Sequence, residues 1–176
     1  MSSINTSGKT QIRSENTQKI VQAFEGLGTD DKLAVLYWVY EKMGDSITPA
    51  APTAANPQVA PILLDNFYNL SKDEQLNVMR DIVNRKDTEY SRDYGALSAN
   101  NQLLVWYAWA VAMGDRVVDM PNDYEATEGA KNFLSQIENA EFEEQISILR
   151  EAAMNMGYSE VGEVPSQSET GKTPSL

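Results

Sequence analysis

The residues best equipped for specific contact in this chain are aromatic rings and methionines, and they recur twice at one spacing. Leu33, Leu36, Tyr37, Tyr40, Met43 and Gly44 are matched seventy positions on by Leu103, Trp106, Tyr107, Ala110, Met113 and Gly114. On a helix, positions i, i+3, i+4, i+7 and i+10 share one side. Each stretch therefore presents flat rings in its middle, a polarisable thioether near its end and a glycine that can stop the helix. Trp38 and Trp109 add rings on neighbouring faces. The chemistry open to such faces is non-covalent: stacking and dispersion against something long and apolar. Helix-on-helix packing uses the same residues, so both uses stay open on periodicity alone. The rings concentrate in two stretches, and several are Tyr or Trp, which need a polar partner when buried. A sixteen-residue helix is roughly 24 Å long, suited to an extended molecule. Met43, Met79, Met113, Met120, Met154 and Met156 lie in or beside apolar faces, and unbranched thioethers suit either a core or an irregular, ligand-lined interior.

Reactive chemistry is narrow. The chain has no histidine and no cysteine, which removes disulfides, thiolate nucleophiles, the usual zinc sites, haem ligation through His or Cys, and Ser-His-Asp catalysis. A carboxylate-only metal site or an Asp/Glu acid–base pair stays open in principle. Glu25-Gly26-Leu27-Gly28 lacks the Lys-Ser/Thr and the preceding strand of a phosphate loop. Glu141, Glu143 and Glu144 sit at a helix start, where the dipole favours acids. Glu125 and Glu128 stand at i, i+3 with no partner motif. No catalytic residue and no metal ligand is assigned, and a non-enzymatic protein is expected. Arg150, at i+4 from Ile146, borders the apolar face of the last helix, where it serves either as a snorkelling surface arginine or as a contact. With 26 acidic against 14 scattered basic residues the formal charge is −12. Nucleic acid and anionic lipid surfaces are excluded as partners, because both need a basic patch. The N-terminus lacks the apolar run of a signal peptide and no eighteen consecutive residues are apolar, so a soluble, cytoplasmic protein without membrane insertion is expected.

The elements that must carry these residues read as helices almost throughout. Residues 1–16 are expected to be a flexible arm, 17–160 a helical domain and 161–176 a polar, flexible tail. Ile20, Val21, Phe24 and Leu27 mark a first amphipathic helix. Thr29 is expected to cap a second that runs to Met43, with Asp30 and Asp31 in its first turn. Residues 45–57 read as a Pro/Ala linker. Val59, Ile62, Leu63, Phe67 and Leu70 predict one helix, and Ser71-Lys-Asp-Glu74 is a capping box opening another that buries Leu76, Met79, Ile82 and Val83. A short helix is expected near 87–94. Ser98 opens the second aromatic helix, 115–124 is a loop with apolar content, and Ala126–Ala140 is helical. Phe142, Ile146, Leu149, Ala153 and Met156 stripe a last helix stopping at Gly157. Helices ending in Met-Gly at 43–44, 113–114 and 156–157 complete an all-α architecture of about eight helices in one or two bundles.

The segments LGTDDKLAVLYWVYEKMG, AAP at 50–52, NRKDT at 84–88, LSANNQLLVWYAWAVAMG, MPNDY at 120–124 and QISILREAAMNMGY carry a family likeness. Over residues 19–160 the chain resembles the N-terminal, carotenoid-binding domain of the cyanobacterial orange carotenoid protein; standing alone, it looks like a helical carotenoid protein. The resemblance implies two interleaved four-helix bundles holding a ketocarotenoid, canthaxanthin first or echinenone, and a photoprotective role in quenching singlet oxygen. The implied pigment contacts are Leu33, Leu36, Tyr37, Tyr40, Pro52, Met79, Asn100, Leu103, Trp106, Tyr107, Ala110, Met113, Met120, Pro121, Tyr124 and Ile146, with Tyr124 and Asn100 as polar contacts near an end. Arg150 matches an arginine that in the two-domain family meets the C-terminal domain and later the phycobilisome. The alternatives it carries are a phycobilisome-docking quencher and a carotenoid carrier. It further implies chloride, exchange with a separate C-terminal-domain-like carrier, a monomer or weak dimer, and association with the thylakoid surface or phycobilisome. Tyr37 stands where the orange carotenoid protein has tryptophan, and Thr53 where it has glycine. Without a C-terminal domain, light-driven switching within this chain is not expected.

Overall fold

Local signals set most of the helix starts. In the computed structural model, which describes residues 15–47 and 60–160, α1 spans residues 15–25. It is followed by α2 (Thr29–Ile47), α3 (Pro61–Leu64), a 3₁₀ turn (Asn66–Asn69), α4 (Lys72–Val83), α5 (Glu89–Gly95), α6 (Ala99–Ala112), α7 (Glu128–Glu138) and α8 (Phe142–Met154). Ser71 and Glu74 close a reciprocal capping box on α4, at 3.1 and 3.0 Å. The hydroxyls of Thr88, Ser98 and Thr127 each accept the N–H three residues on, capping α5, α6 and α7. Such caps satisfy amides that the helix itself leaves unpaired. The fold is all-helical, and among the described residues no helix is long and apolar enough to cross a membrane.

Several boundaries differ from the sequence reading. Thr29 is the first residue of α2, not its cap: Gly28 supplies the carbonyl for the N–H of Lys32 at 3.0 Å, and the Thr29 hydroxyl donates to Asn84 Oδ1 at 2.9 Å. Gly44 does not stop α2, which continues to Ile47. By contrast Gly114 and Gly157 sit at φ +84 and +81, the left-handed region that glycine adopts without penalty. The helix expected over 59–70 is broken at Asp65 (φ −139, ψ −66) into α3 and the 3₁₀ turn. The break frees the Leu63 carbonyl to accept the Trp109 indole N–H at 3.0 Å, while Phe67 lies flat on the same indole, centroids 4.3 Å apart. Phe142, placed on the apolar stripe of α8, is exposed, and Leu76 is only half-buried because it faces a cavity.

With the helices assigned, the seventy-residue repeat extends beyond the aromatic pair. Phe24 corresponds to Tyr94, Glu74 to Glu144, Gln75 to Gln145 and Arg80 to Arg150, so α1 to α4 map onto α5 to α8. The likeness is structural as well: the amides of Gln75 and Gln145 each donate to the carbonyl eight residues back, on Phe67 (3.2 Å) and Ile137 (2.9 Å). The halves interleave. α2 packs on α4 of its own half and on α6, α7 and α8 of the other, while α6 packs on α8 and on α3, and α3 on α5. Trp109, Tyr94, Phe24, Phe67 and Phe133 are fully buried at the centre of this exchange.

Candidate functional site

α2 and α6 meet face to face and run antiparallel. Leu33 and Ala34, early in α2, share a cavity with Met113 at the end of α6, whereas Leu36 and Tyr40 share a second with Leu103, Trp106 and Tyr107. From Leu33 to Tyr40 is about 10 Å of helix. The larger cavity has a volume of about 240 Å³ and is lined by Asp30, Leu33, Ala34, Leu76, Met79, Arg80, Met113, Val118, Asp119, Met120, Pro121 and Tyr124. The smaller, about 30 Å³, is lined by Leu36, Val39, Tyr40, Leu103, Trp106, Tyr107 and Leu149. The walls of both are mainly aliphatic, aromatic and thioether. Charged side chains, Asp30, Arg80 and Asp119, line the larger cavity and not the smaller.

The rings between α2 and α6 are ordered by contact. Tyr40 meets Tyr107 edge-on, centroids 5.4 Å apart, and Tyr37 lies 6.3 Å from Tyr40. Burial, followed by the Glu41 carboxylate, raises the Tyr37 phenol above its ordinary value. Trp106 is core on one side: its indole N–H donates to the Tyr94 hydroxyl at 2.8 Å, which donates to the Ala153 carbonyl at 2.7 Å. Its other side lines the small cavity. Trp109 belongs wholly to the core, so the doubled aromatic face serves as core and as cavity wall together.

A buried carboxylate fastens the loop that closes the larger cavity. Asp31, 5% exposed, accepts from the Tyr124 and Thr127 hydroxyls and from the Thr127 N–H at 3.4 Å. Burial alone would raise this carboxyl. The hydrogen bonds from the Thr127 hydroxyl, Tyr124 and the Thr127 N–H outweigh burial and hold it below its ordinary value. Tyr124 is pushed up to about 12 by burial, by donating to Asp31 and by the negative charges of Asp31 and Asp30. The Tyr124 ring faces the cavity and also lies 6.4 Å from Trp38. The start of the loop is held by Gln75, whose amide donates to the Arg116 carbonyl at 2.8 Å and accepts from the Val118 N–H at 2.8 Å.

Of the residues expected to touch a ligand, Leu33, Met79, Met113, Met120, Pro121 and Tyr124 line the larger cavity, and Leu36, Tyr40, Leu103, Trp106 and Tyr107 the smaller. Ala110, buried on α6, lies between Tyr107 and Met113; Ile146, buried on α8, lies one turn before Leu149. Asn100 and Arg150 are exposed and line neither cavity. Pro52 and Thr53 fall outside the described residues. Sequence reasoning missed Asp30, Ala34, Leu76, Arg80, Val118 and Asp119 as lining of the larger cavity, and Val39 and Leu149 as lining of the smaller. One signal was available: the seventy-residue offset pairs Arg80 with the marked Arg150. Among the described residues, acids do not gather in a group able to hold a metal ion.

A sequence profile described as "Orange carotenoid protein, N-terminal" matches residues 10–159. An orange carotenoid-binding domain-containing protein of Nostoc sp. (strain PCC 7120) is 41% identical over 138 residues, 78% of this chain and 81% of that protein. The orange carotenoid-binding protein of Synechocystis sp. is 33% identical over 140 residues, 79% of this chain but 44% of that longer protein. The red carotenoid protein of Anabaena (Nostoc) sp. PCC 7120, solved binding canthaxanthin, superposes with a TM-score of 0.71 at 30% identity, covering 81% of this chain and 99% of that one. The orange carotenoid protein of the same organism, also binding canthaxanthin, gives 0.74 at 30% identity, over 82% of this chain and 47% of that one.

Proposed function

The chain belongs to the family of the orange carotenoid protein N-terminal domain, and we propose accordingly that it is a carotenoid-binding, photoprotective, non-enzymatic protein that quenches singlet oxygen. The observation that carries this is the seam between α2 and α6, where two apolar cavities follow one another along antiparallel helices walled by tyrosine, tryptophan and methionine. A ketocarotenoid, canthaxanthin before echinenone, fits that wall in chemistry and direction. Relatives solved with canthaxanthin support the choice. When bound, a long conjugated polyene supplies a low-lying triplet state that accepts energy from singlet oxygen and releases it as heat.

The residues of the chain do the rest. Leu33, Leu36, Leu103 and Leu149 keep water from the seam, and apolar burial is the main driving force. Tyr40, Tyr107 and Trp106 give flat contact, and Met79, Met113 and Met120 give polarisable contact that tolerates an irregular fit. At about 240 and 30 Å³ the cavities are below the roughly 300–1,000 Å³ usual for a drug-sized ligand. Loading therefore requires α2 and α6 to part enough to join them.

A second reading, docking on the phycobilisome, rests on Arg150, which is exposed on α8 and makes no ion pair among the described residues. A formal charge of −12 with one marked arginine favours singlet-oxygen quenching. The test is expression in a ketocarotenoid-producing host. A soluble, coloured protein that shortens the singlet-oxygen phosphorescence lifetime is expected; a colourless product overturns the reading. Loss of phycobilisome fluorescence on mixing, abolished by Arg150→Glu, would favour docking instead.

A further inference from the structure

Arg80 lines the larger cavity with Met79, Met113 and Tyr124 while its side chain stays 40% exposed, so it stands at a mouth. Asp30 holds it by a two-pronged contact, Nε to Oδ1 at 2.9 Å and Nη2 to Oδ2 at 3.0 Å. A guanidinium has five N–H donors in a rigid plane. The Asp30 fork uses two, leaving both on Nη1 and one on Nη2. The other polar side chains of the lining do not offer a donor: the Tyr124 hydroxyl is committed to Asp31, and Asp30 and Asp119 are acceptors. Asp119 Oδ1 already takes the Met120 N–H at 2.8 Å. An oxygen that can only accept, emerging from the apolar seam here, meets a single kind of side-chain donor.

The repeat makes this mouth different from its counterpart. Seventy positions on, Arg80 becomes Arg150 but Asp30 becomes Asn100. Asn100 cannot hold a guanidinium in a charged fork, and neither Asn100 nor Arg150 lines a cavity. The repeat thus keeps the arginine but not its charged fork, and of the two arginines Arg80 is the one that lines a cavity.

We infer that Arg80, oriented by Asp30, donates a hydrogen bond to a ring ketone of the bound carotenoid, so that this mouth selects oxygenated ring ends over hydrocarbon ones. The inference rests on the pigment-binding reading and adds a specificity-determining residue to it. An apolar wall alone cannot discriminate the ketone, since canthaxanthin and β-carotene share one carbon skeleton. A charge-assisted hydrogen bond at a partly exposed mouth gives about a tenfold preference.

The test is reconstitution of the full chain with an equimolar mixture of canthaxanthin and β-carotene, for wild type, Arg80→Met and Arg80→Lys. The expected result is about tenfold enrichment of canthaxanthin in wild type, none in Arg80→Met, and partial enrichment in Arg80→Lys, which restores a donor without the fork. In resonance Raman spectra a bound ketone's stretch should lie lower in wild type than in Arg80→Met. Undiminished enrichment and an unchanged stretch in Arg80→Met overturn the role of Arg80 while leaving pigment binding intact. A wild type that stays colourless with both pigments overturns pigment binding, and this assignment with it.

Discussion

Asp31 shows how one side chain can govern access to a cavity it does not line. It occupies the first turn of α2, where a carboxylate also complements the helix dipole. Its three hydrogen bonds fasten Tyr124 and the α7 cap residue Thr127 to the helix that forms the seam. Because its folded carboxyl is held below the ordinary value, its contribution is present at neutral pH. That contribution is lost as the pH falls from about 3.9, the unfolded value, through the folded one. Tyr124 gives the opposite limb. Raised to about 12, its contribution is complete below about pH 10, the unfolded value, and is lost as the pH rises toward the folded value. Urea midpoints across pH should therefore fall at both extremes. Asp31→Asn should flatten the acid limb and Tyr124→Phe should make the alkaline limb shallower. Profiles unchanged in both variants would show that the fastening contributes nothing to stability.

At the scale of elements, the closest approach lies where the chain after α8 crosses α5. The Gly157 N–H donates to the Ile82 carbonyl at 2.8 Å, and the Tyr158 N–H to the Ser91 carbonyl at 3.0 Å, tying α4, α5 and the end of α8 together. A Cβ on Gly157 would lie 2.5 Å from Tyr94 Cδ1, and its φ of +81 disfavours any side chain. Gly157→Ala should therefore cost about 2–4 kcal/mol, backbone strain and overpacking together. Chemical denaturation checks it; a loss under 1 kcal/mol would mean that the crossing relaxes freely. Tyr94 also holds Trp106 in place, so the variant should weaken pigment retention as well, although Gly157 lines neither cavity. Gln75 acts at the same scale, since an amide buried inside α4 fixes the loop around Val118 that walls the larger cavity.

For the whole molecule, duplication explains why a helical protein of this size has a seam through its middle. Each half contributes one aromatic helix, and exchange of the flanking helices leaves α2 and α6 packed on each other, with gaps where large and small residues fail to interlock. A protein with unfilled interior space should gain stability when that space is filled, because a ligand bound only to the folded state adds to its free energy. Canthaxanthin loading to about a hundred times Kd should contribute about 2.7 kcal/mol, a rise of roughly 5–10 °C in Tm for a domain of this length. Calorimetry of colourless and coloured fractions from one preparation checks this. Identical Tm values would place the pigment on the outside.

Helical periodicity, caps and the doubled face were legible from residue order because they depend on neighbours within a turn or two. Ser71 with Glu74 caps α4 whatever the rest of the chain does, and Leu33 to Tyr40 share a face through helix geometry alone. The break at Asp65 was not legible, since the partner that takes up the freed Leu63 carbonyl, the Trp109 indole, lies 46 residues away in sequence. Arg80 drew no attention in residue order, because only packing sets it at a cavity mouth with Asp30, 50 residues distant. The repeat thus set the two ringed helices and their spacing. Antiparallel packing decided which rings became core, which became wall, and which charged side chains stand beside a cavity, because contacts between distant segments are fixed by how the faces interlock.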